Sequence, residues 1–102
     1  MRESLSRERI LEAALDLIDE SGLEALSMRK IGGSLGVQAM SLYRYVPSKD
    51  ALLDGVQEVI LADLAPQVRH SDWQSTASAM ARDFRNVLAR HPRAIPVFSR
   101  PA

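Results

Sequence analysis

Apolar residues near the start of the chain recur at spacings of three and four positions, the period of a helix with one buried face. They are Ile10, Ala13, Ala14, Leu17 and Ile18, and acidic side chains lie off this stripe. The pattern predicts a first helix from Ser6 to Ser21, capped by the Ser6 hydroxyl and ended by Gly22. Asp19 and Glu20 are expected to form its solvated end.

Two short helices are predicted in the next segment. Ser27 is placed to cap the first, whose apolar positions are Met28, Ile31 and Leu35, and Gly36 ends it. The second is predicted over Ala39–Val46, with apolar Leu42, Tyr43 and Val46. It ends before Pro47, which a continuing helix would not tolerate.

Two longer helices follow in the pattern. Ser48 is placed to cap the fourth, and its apolar stripe consists of Leu52, Leu53, Val56, Val59, Ile60 and Leu64, up to Pro66. Ser71 or Asp72 can cap the fifth, whose apolar face holds Trp73, Ala77, Met80, Ala81, Phe84, Val87 and Leu88, up to His91-Pro92. Residues 93–102 show no clear period, and no strand-like alternation of useful length is present. The predicted fold class is all-α.

Composition narrows the class of protein. A chain of 102 residues, 46% hydrophobic and 25% charged, is expected to form one small folded unit. It contains no cysteine, which excludes disulfides, thiolate metal sites and thiol nucleophiles and favours a cytoplasmic location. No apolar stretch approaches the ~20 residues of a membrane span, and the initial residues lack a signal-peptide hydrophobic region.

The formal net charge is zero, but the charges are unevenly distributed. Residues 1–26 carry three basic and seven acidic side chains, whereas residues 27–49 carry four basic side chains and no acidic one. This basic segment contains the two short helices joined by a glycine-containing turn, the geometry of a helix-turn-helix. The second helix of such a motif enters the major groove of DNA. The basic segment is therefore the candidate DNA-binding site.

The same segment resembles the DNA-binding signature of the TetR family of transcriptional repressors. Residues 27–37 read SMRKIGGSLGV and residues 42–53 read LYRYVPSKDALL, with the family's characteristic positions correctly spaced. A looser likeness to the tetracycline-repressor subgroup follows at Trp73-Gln74-Ser75, Phe84-Arg85 and Arg90-His91-Pro92. The resemblance implies a helix-turn-helix domain over residues 1–48. It also implies a linking helix and the incomplete beginning of an effector-binding and dimerisation domain over residues 49–102.

Site residues follow from the resemblance position by position. The implied base contacts are Arg29, Gln38, Ala39, Met40, Ser41, Arg44 and Tyr45. The implied phosphate contacts are Ser27, Tyr43 and Lys49, and Lys30 is added to them because it is a suitable donor within the basic segment. Ile31, Leu35, Val37, Leu42 and Val46 would hold the two helices together. Met80 and Phe84 are the candidates for an effector pocket.

The resemblance further implies a ligand-responsive repressor that binds a palindromic operator as a homodimer and releases it when a small-molecule effector binds. Family members are about twice this length, so we expect the dimerisation helices to lie outside this chain. A helical protein-interaction module without a DNA role is the alternative. An enzyme is not expected, since no convergent catalytic group is visible, and no cofactor is predicted.

Other residue types that can carry chemistry have simpler explanations. His70 and His91 do not form an i, i+4 pair or stand beside an acidic cluster, so no metal site is predicted. The glycines at 32–36 follow no strand and precede no Gly-Lys-Ser/Thr, which argues against a nucleotide site.

Two glycines depart from the TetR pattern, which usually has alanine at position 32 and a helix former at position 33. Each glycine costs a helix roughly 0.5–1 kcal/mol relative to alanine. Close packing of the third helix on the second is a sufficient reason for Gly32, whereas Gly33 has no evident one. We therefore predict that Gly33→Ala raises the melting temperature without weakening DNA binding.

Overall fold

The computed structural model describes residues 4–62 and 73–100, and these residues form helices and connecting turns without a strand. The α-helices are α1 (Arg7–Ser21), α2 (Met28–Leu35), α3 (Ala39–Leu42), α4 (Lys49–Leu61) and α5 (Trp73–Arg90). The described residues also include the 3₁₀ helices Leu23–Ala25 and Pro92–Ser99, and the second is here called the 92–99 helix. The predicted all-α class is confirmed.

Local sequence signals explain where the first helices begin. Ser6, Ser27 and Ser48 are extended residues whose hydroxyl oxygens accept a hydrogen bond from a backbone amide three positions later. The donors are Arg9 at 3.2 Å, Lys30 at 3.1 Å and Ala51 at 3.1 Å. Such caps satisfy an amide that the first helical turn leaves unpaired and contribute about 1 kcal/mol each. All three predicted caps are confirmed.

Glycines end α1 and α2 as predicted. Gly22 and Gly36 have φ values of 86° and 74°, in the region that side-chain-bearing residues rarely adopt. The Gly36 residue is left-handed, so it turns the chain sharply from α2 toward α3. This turn sets the relative direction of the two helices of the candidate site.

A single hydrophobic cluster runs through the described residues, and α1 packs in it against α2, α4 and the 92–99 helix. Its fully buried members include Ile10, Ala14, Ile18, Ile31, Leu42, Leu52, Val56, Val87 and Val97. Burying an aliphatic side chain of this size contributes roughly 1.5–3 kcal/mol. The predicted apolar stripes of α1, α2 and α4 therefore face one shared core.

The third helix is shorter than predicted. Regular α-helix ends at Leu42, and residues 43–45 form a turn instead of continuing to Val46. The Leu42 carbonyl accepts from the amides of both Tyr45 (3.0 Å) and Val46 (2.9 Å). Pro47 explains this ending, because it has no amide proton and disfavours helical geometry at the residue before it.

The 92–99 helix was not predicted, because its sequence shows no helical period of 3.6. Its inward positions are Ala94 and Val97, both fully buried and spaced by the three residues of a 3₁₀ turn. The side-chain amide of Gln57 in α4 donates to the Val97 carbonyl at 2.9 Å. Pro92 and Pro96 interrupt any helical pattern in the sequence of this segment. Its contacts with α1 and α4 hold it in place.

Some expectations concern residues outside the described ranges. They are the continuation of α4 to Leu64 and Pro66, the caps at Ser71 or Asp72, and residues 101–102. None of the described helices combines the length and apolar composition needed to cross a membrane.

Candidate nucleic-acid interface

The junction of α2 and α3 depends on a close backbone approach at Gly32. The Val37 amide donates to the Gly32 carbonyl at 2.8 Å, and a β-carbon placed on Gly32 would lie 2.6 Å from the Val37 carbonyl oxygen. No alanine fits at that distance unless the backbone moves. The expectation that close packing of α3 on α2 explains Gly32 is confirmed, whereas a β-carbon on Gly33 would meet nothing within 4 Å.

The side chains expected to join the two helices lie beneath the junction. Ile31 and Leu42 are fully buried and Val46 is nearly so. Leu35 and Val37 are partly buried against the same core. Because these residues fill the inner side, the outer side of α3 is left to solvent.

Four of the residues expected to read bases lie together. Arg29 of α2 lines an open groove of about 450 Å³ with Gln38, Ala39 and Met40 at the start of α3. Met40 is 77% exposed, the largest exposed fraction among the large hydrophobic residues described. A methyl, a thioether, an amide and a guanidinium thus face one open space, a set that can contact thymine methyl groups and hydrogen-bonding base edges.

The other three expected base contacts lie outside the lining of that groove. Arg44 is exposed and Tyr45 is 40% exposed in the turn after α3, and Ser41 is half-buried. The short α3 changes their placement, since residues 43–45 do not continue the regular helix. Their base-reading role stays a prediction.

The cations of residues 27–49 are accessible. Arg29, Lys30, Arg44 and Lys49 are all exposed. Across residues 4–62 and 73–100, no carboxylate forms an ion pair with Arg29, Lys30 or Arg44. Unneutralised cations on one surface attract phosphate, and that attraction weakens as the salt concentration rises.

The expected phosphate contacts differ in how they are held. The Ser27 oxygen accepts from the Lys30 amide at 3.1 Å, and its hydroxyl proton remains able to donate elsewhere. Tyr43 is 44% exposed. The Lys49 ammonium donates to the Leu26 carbonyl at 3.1 Å, which ties the start of α4 to the residue before the Ser27 cap. Lys49 therefore also has a structural contact that its sequence position does not reveal.

The two candidate effector residues lie one helical turn apart on α5. Met80 is 49% exposed, and Phe84 packs edge-to-face on Phe98 of the 92–99 helix with ring centroids 5.9 Å apart. Aromatic packing on Phe98 is sufficient to explain why a phenylalanine stands at position 84. A role in effector binding stays a prediction for both.

The sequence pattern did not predict the contacts that join α1 to residues 91–93. Asp19 was expected to be solvated, but its carboxylate contacts the His91 imidazole, and the Arg93 guanidinium donates to the Glu20 carbonyl oxygen. Glu20 itself is exposed, as expected. No local pattern could have indicated these contacts, since the partners are more than 70 residues apart.

The comparisons with known proteins agree with this geometry. The family model described as bacterial regulatory proteins, tetR family, matches residues 10–56. The HTH-type transcriptional repressor DrrR1 of Streptomyces coeruleorubidus is 39% identical over 95 residues, which cover 89% of this chain and 34% of that protein. The class D tetracycline repressor protein of Escherichia coli is 38% identical over 90 residues, 85% of this chain and 41% of that protein.

A solved structure of a TetR family protein is similar to this chain in three dimensions as well as in sequence. The TetR family protein ActR of Streptomyces coelicolor, in complex with actinorhodin, superposes with a TM-score of 0.83 and 31% identity. The match covers 97% of this chain and 48% of that one. The chain spans between a third and about two fifths of the length of these two curated relatives.

Proposed function

Since this chain belongs, through residues 10–56, to the TetR family of bacterial regulatory proteins, we propose that it is a sequence-specific DNA-binding regulator. The observation that carries the proposal is the surface made by α2, the Gly36 turn and α3. It combines exposed cations lacking a described acidic partner with a groove lined by side chains that can read bases. A regulator of this kind fits the named relatives better than a protein-interaction module does.

In the proposed complex, α3 enters the major groove. Arg29 reaches guanine, Ala39 and Met40 contact thymine methyl groups, and Gln38 hydrogen-bonds a base edge. Ser41, Arg44 and Tyr45 extend the base contacts, while Ser27, Lys30, Tyr43 and Lys49 bind phosphates. The phosphate contacts set the register of the protein on the duplex, and the base contacts supply the sequence preference.

The proposal extends to repression and to a dimer. Residues 1–48 would form the DNA-binding domain, and residues 49–102 would begin the regulatory one. Two copies would place their α3 helices in successive major grooves, about 34–36 Å apart, on a palindromic operator. DrrR1 is named as a repressor, which supports a repressing role here.

Control by a small molecule requires that effector binding favour a state with a different α3 spacing. The similar protein ActR was solved in complex with actinorhodin, which supports the proposal that this protein also has a ligand site. Met80 and Phe84 are the candidate lining residues of that site. The route to the DNA would pass through α4, which starts beside the DNA-binding surface. It is joined to the 92–99 helix by the Gln57–Val97 hydrogen bond, and to the residue that follows this helix by the 2.5 Å Arg100–Asp54 ion pair.

Selection from random duplex DNA with the full-length protein tests this function. We expect one enriched motif with two inverted halves about one helical turn apart, bound with an affinity that falls steeply as salt rises. A pool that stays random after repeated rounds, or binding that ignores salt, would refute the proposal. An enriched motif without inverted halves would refute the dimer and leave DNA recognition standing.

A further inference from the structure

Met40 has an unusual position for a methionine. It lies in α3 with 77% of its surface exposed, beside Arg29 and Gln38 in the open groove. Met28, in α2, is only 8% exposed and belongs to the core. The thioether of Met40 is therefore accessible to small solutes, whereas that of Met28 is shielded.

The chain has four methionines and no cysteine, so thioethers are its only sulfur groups. Hypochlorous acid oxidises a thioether without a cofactor. The sulfur lone pair takes up oxygen, two electrons pass to the oxidant, and chloride and a proton leave. The product is methionine sulfoxide, which methionine sulfoxide reductases return to the thioether. Exposure decides which methionine reacts first.

Oxidation at this position changes the chemistry of the base-reading groove. A thioether is apolar and can pack on a thymine methyl, whereas a sulfoxide is a polar hydrogen-bond acceptor. Its oxygen would be brought against the apolar thymine methyl on which the thioether is proposed to pack, and it has no proton to donate to a base. The loss of one such contact costs roughly tenfold in specific affinity.

We propose that Met40 is a reversible oxidation site through which hypochlorous acid prevents the free protein from rebinding its DNA. The inference rests on the proposed DNA-binding function and adds a second control that needs no effector pocket. Bound DNA covers Met40, so oxidation acts on the free protein and prevents its rebinding. Reduction of the sulfoxide restores binding.

An interference experiment tests the proposal without any variant. The chain is partly oxidised with hypochlorous acid and mixed with a duplex that untreated protein binds. Bound and free fractions are separated, and sulfoxide at each methionine is measured by peptide mass spectrometry. We expect sulfoxide at Met40 to be depleted about tenfold in the bound fraction. Sulfoxide at Met80, exposed on α5, should be distributed equally and serves as the internal control.

Variants and repair give an independent reading. The ratio of affinities for the duplex after and before oxidant treatment should fall to about a tenth for the parent and stay near one for Met40→Leu. Treatment with a methionine sulfoxide reductase should restore the parent. Equal sulfoxide at Met40 in bound and free fractions would overturn the inference while leaving DNA binding intact. Untreated protein that binds no selected duplex would instead overturn the proposed function, and the inference with it.

Discussion

The imidazole Nδ1 of His91 lies 2.7 Å from the carboxylate Oδ2 of Asp19, although the two residues are 72 positions apart. Asp19 belongs to the last turns of α1, and His91 precedes the 92–99 helix. Next to them, Arg93 donates to the Glu20 carbonyl oxygen at the end of α1, where a cation is favourable. This corner joins the helix behind the candidate DNA-binding surface to the segment that follows α5.

The first prediction concerns the energy of this pair. Both side chains are largely withdrawn from solvent, with 20% of His91 and 32% of Asp19 exposed. We expect a double-mutant cycle of His91→Ala and Asp19→Ala to give a coupling of about 1 kcal/mol in denaturant unfolding. Effects of the two substitutions that simply add would contradict the contact.

The second prediction tests the packing of the 92–99 helix. Val97 is fully buried and Ile95 is 43% exposed in the same short element. Val97→Ala should lower the free energy of unfolding by about 2 kcal/mol, because it removes buried methyl groups and leaves a cavity. Ile95→Ala removes more atoms but should cost much less. Equal losses in the two variants would mean that this helix does not pack on the core as described.

The third prediction separates two adjacent glycines. Gly33→Ala should stabilise the protein by roughly 0.5–1 kcal/mol, because the new methyl meets open space and alanine favours the helix. Gly32→Ala makes the same chemical change but brings a methyl to 2.6 Å from the Val37 carbonyl oxygen, so we expect destabilisation. Thermal unfolding of both variants measures the difference. A shift of the same sign in both would show that the α2–α3 junction is looser than this geometry requires.

The fourth prediction distinguishes base reading from phosphate binding. Arg29→Ala should cost about 1–3 kcal/mol on the selected duplex and little on random DNA, because it removes a base contact. Lys30→Ala should weaken both duplexes alike and make binding less dependent on salt. Lys30 is preferable to Lys49 for this comparison, since Lys49 also holds the Leu26 carbonyl. Affinities on both duplexes at several salt concentrations provide the check, and equal losses for Arg29→Ala on the two duplexes would refute its base-reading role.

Features that depend on neighbouring residues were predictable. Serine hydroxyls three positions before an amide explain the starts of α1, α2 and α4, and Gly36 explains the turn into α3. The same local rules, with the TetR resemblance, indicated the candidate site. The error at the end of α3 was also local, because Pro47 acts on the hydrogen bonds of the turn before it, not only at its own position.

By itself the sequence determined the helical class, the capped helix starts, the basic segment and the residue types of its reading surface, since each follows from spacing along one short stretch. Only the tertiary structure decided that Asp19 contacts His91 and that residues 92–99 form a 3₁₀ helix packed on α1 and α4. It also decided that the backbone of Val37 lies close against Gly32. The physical reason is that burial and long-range hydrogen bonds arise between segments far apart in the chain. A segment with a weak local preference for helix, such as residues 92–99, can therefore become helical when contacts with neighbouring elements stabilise it.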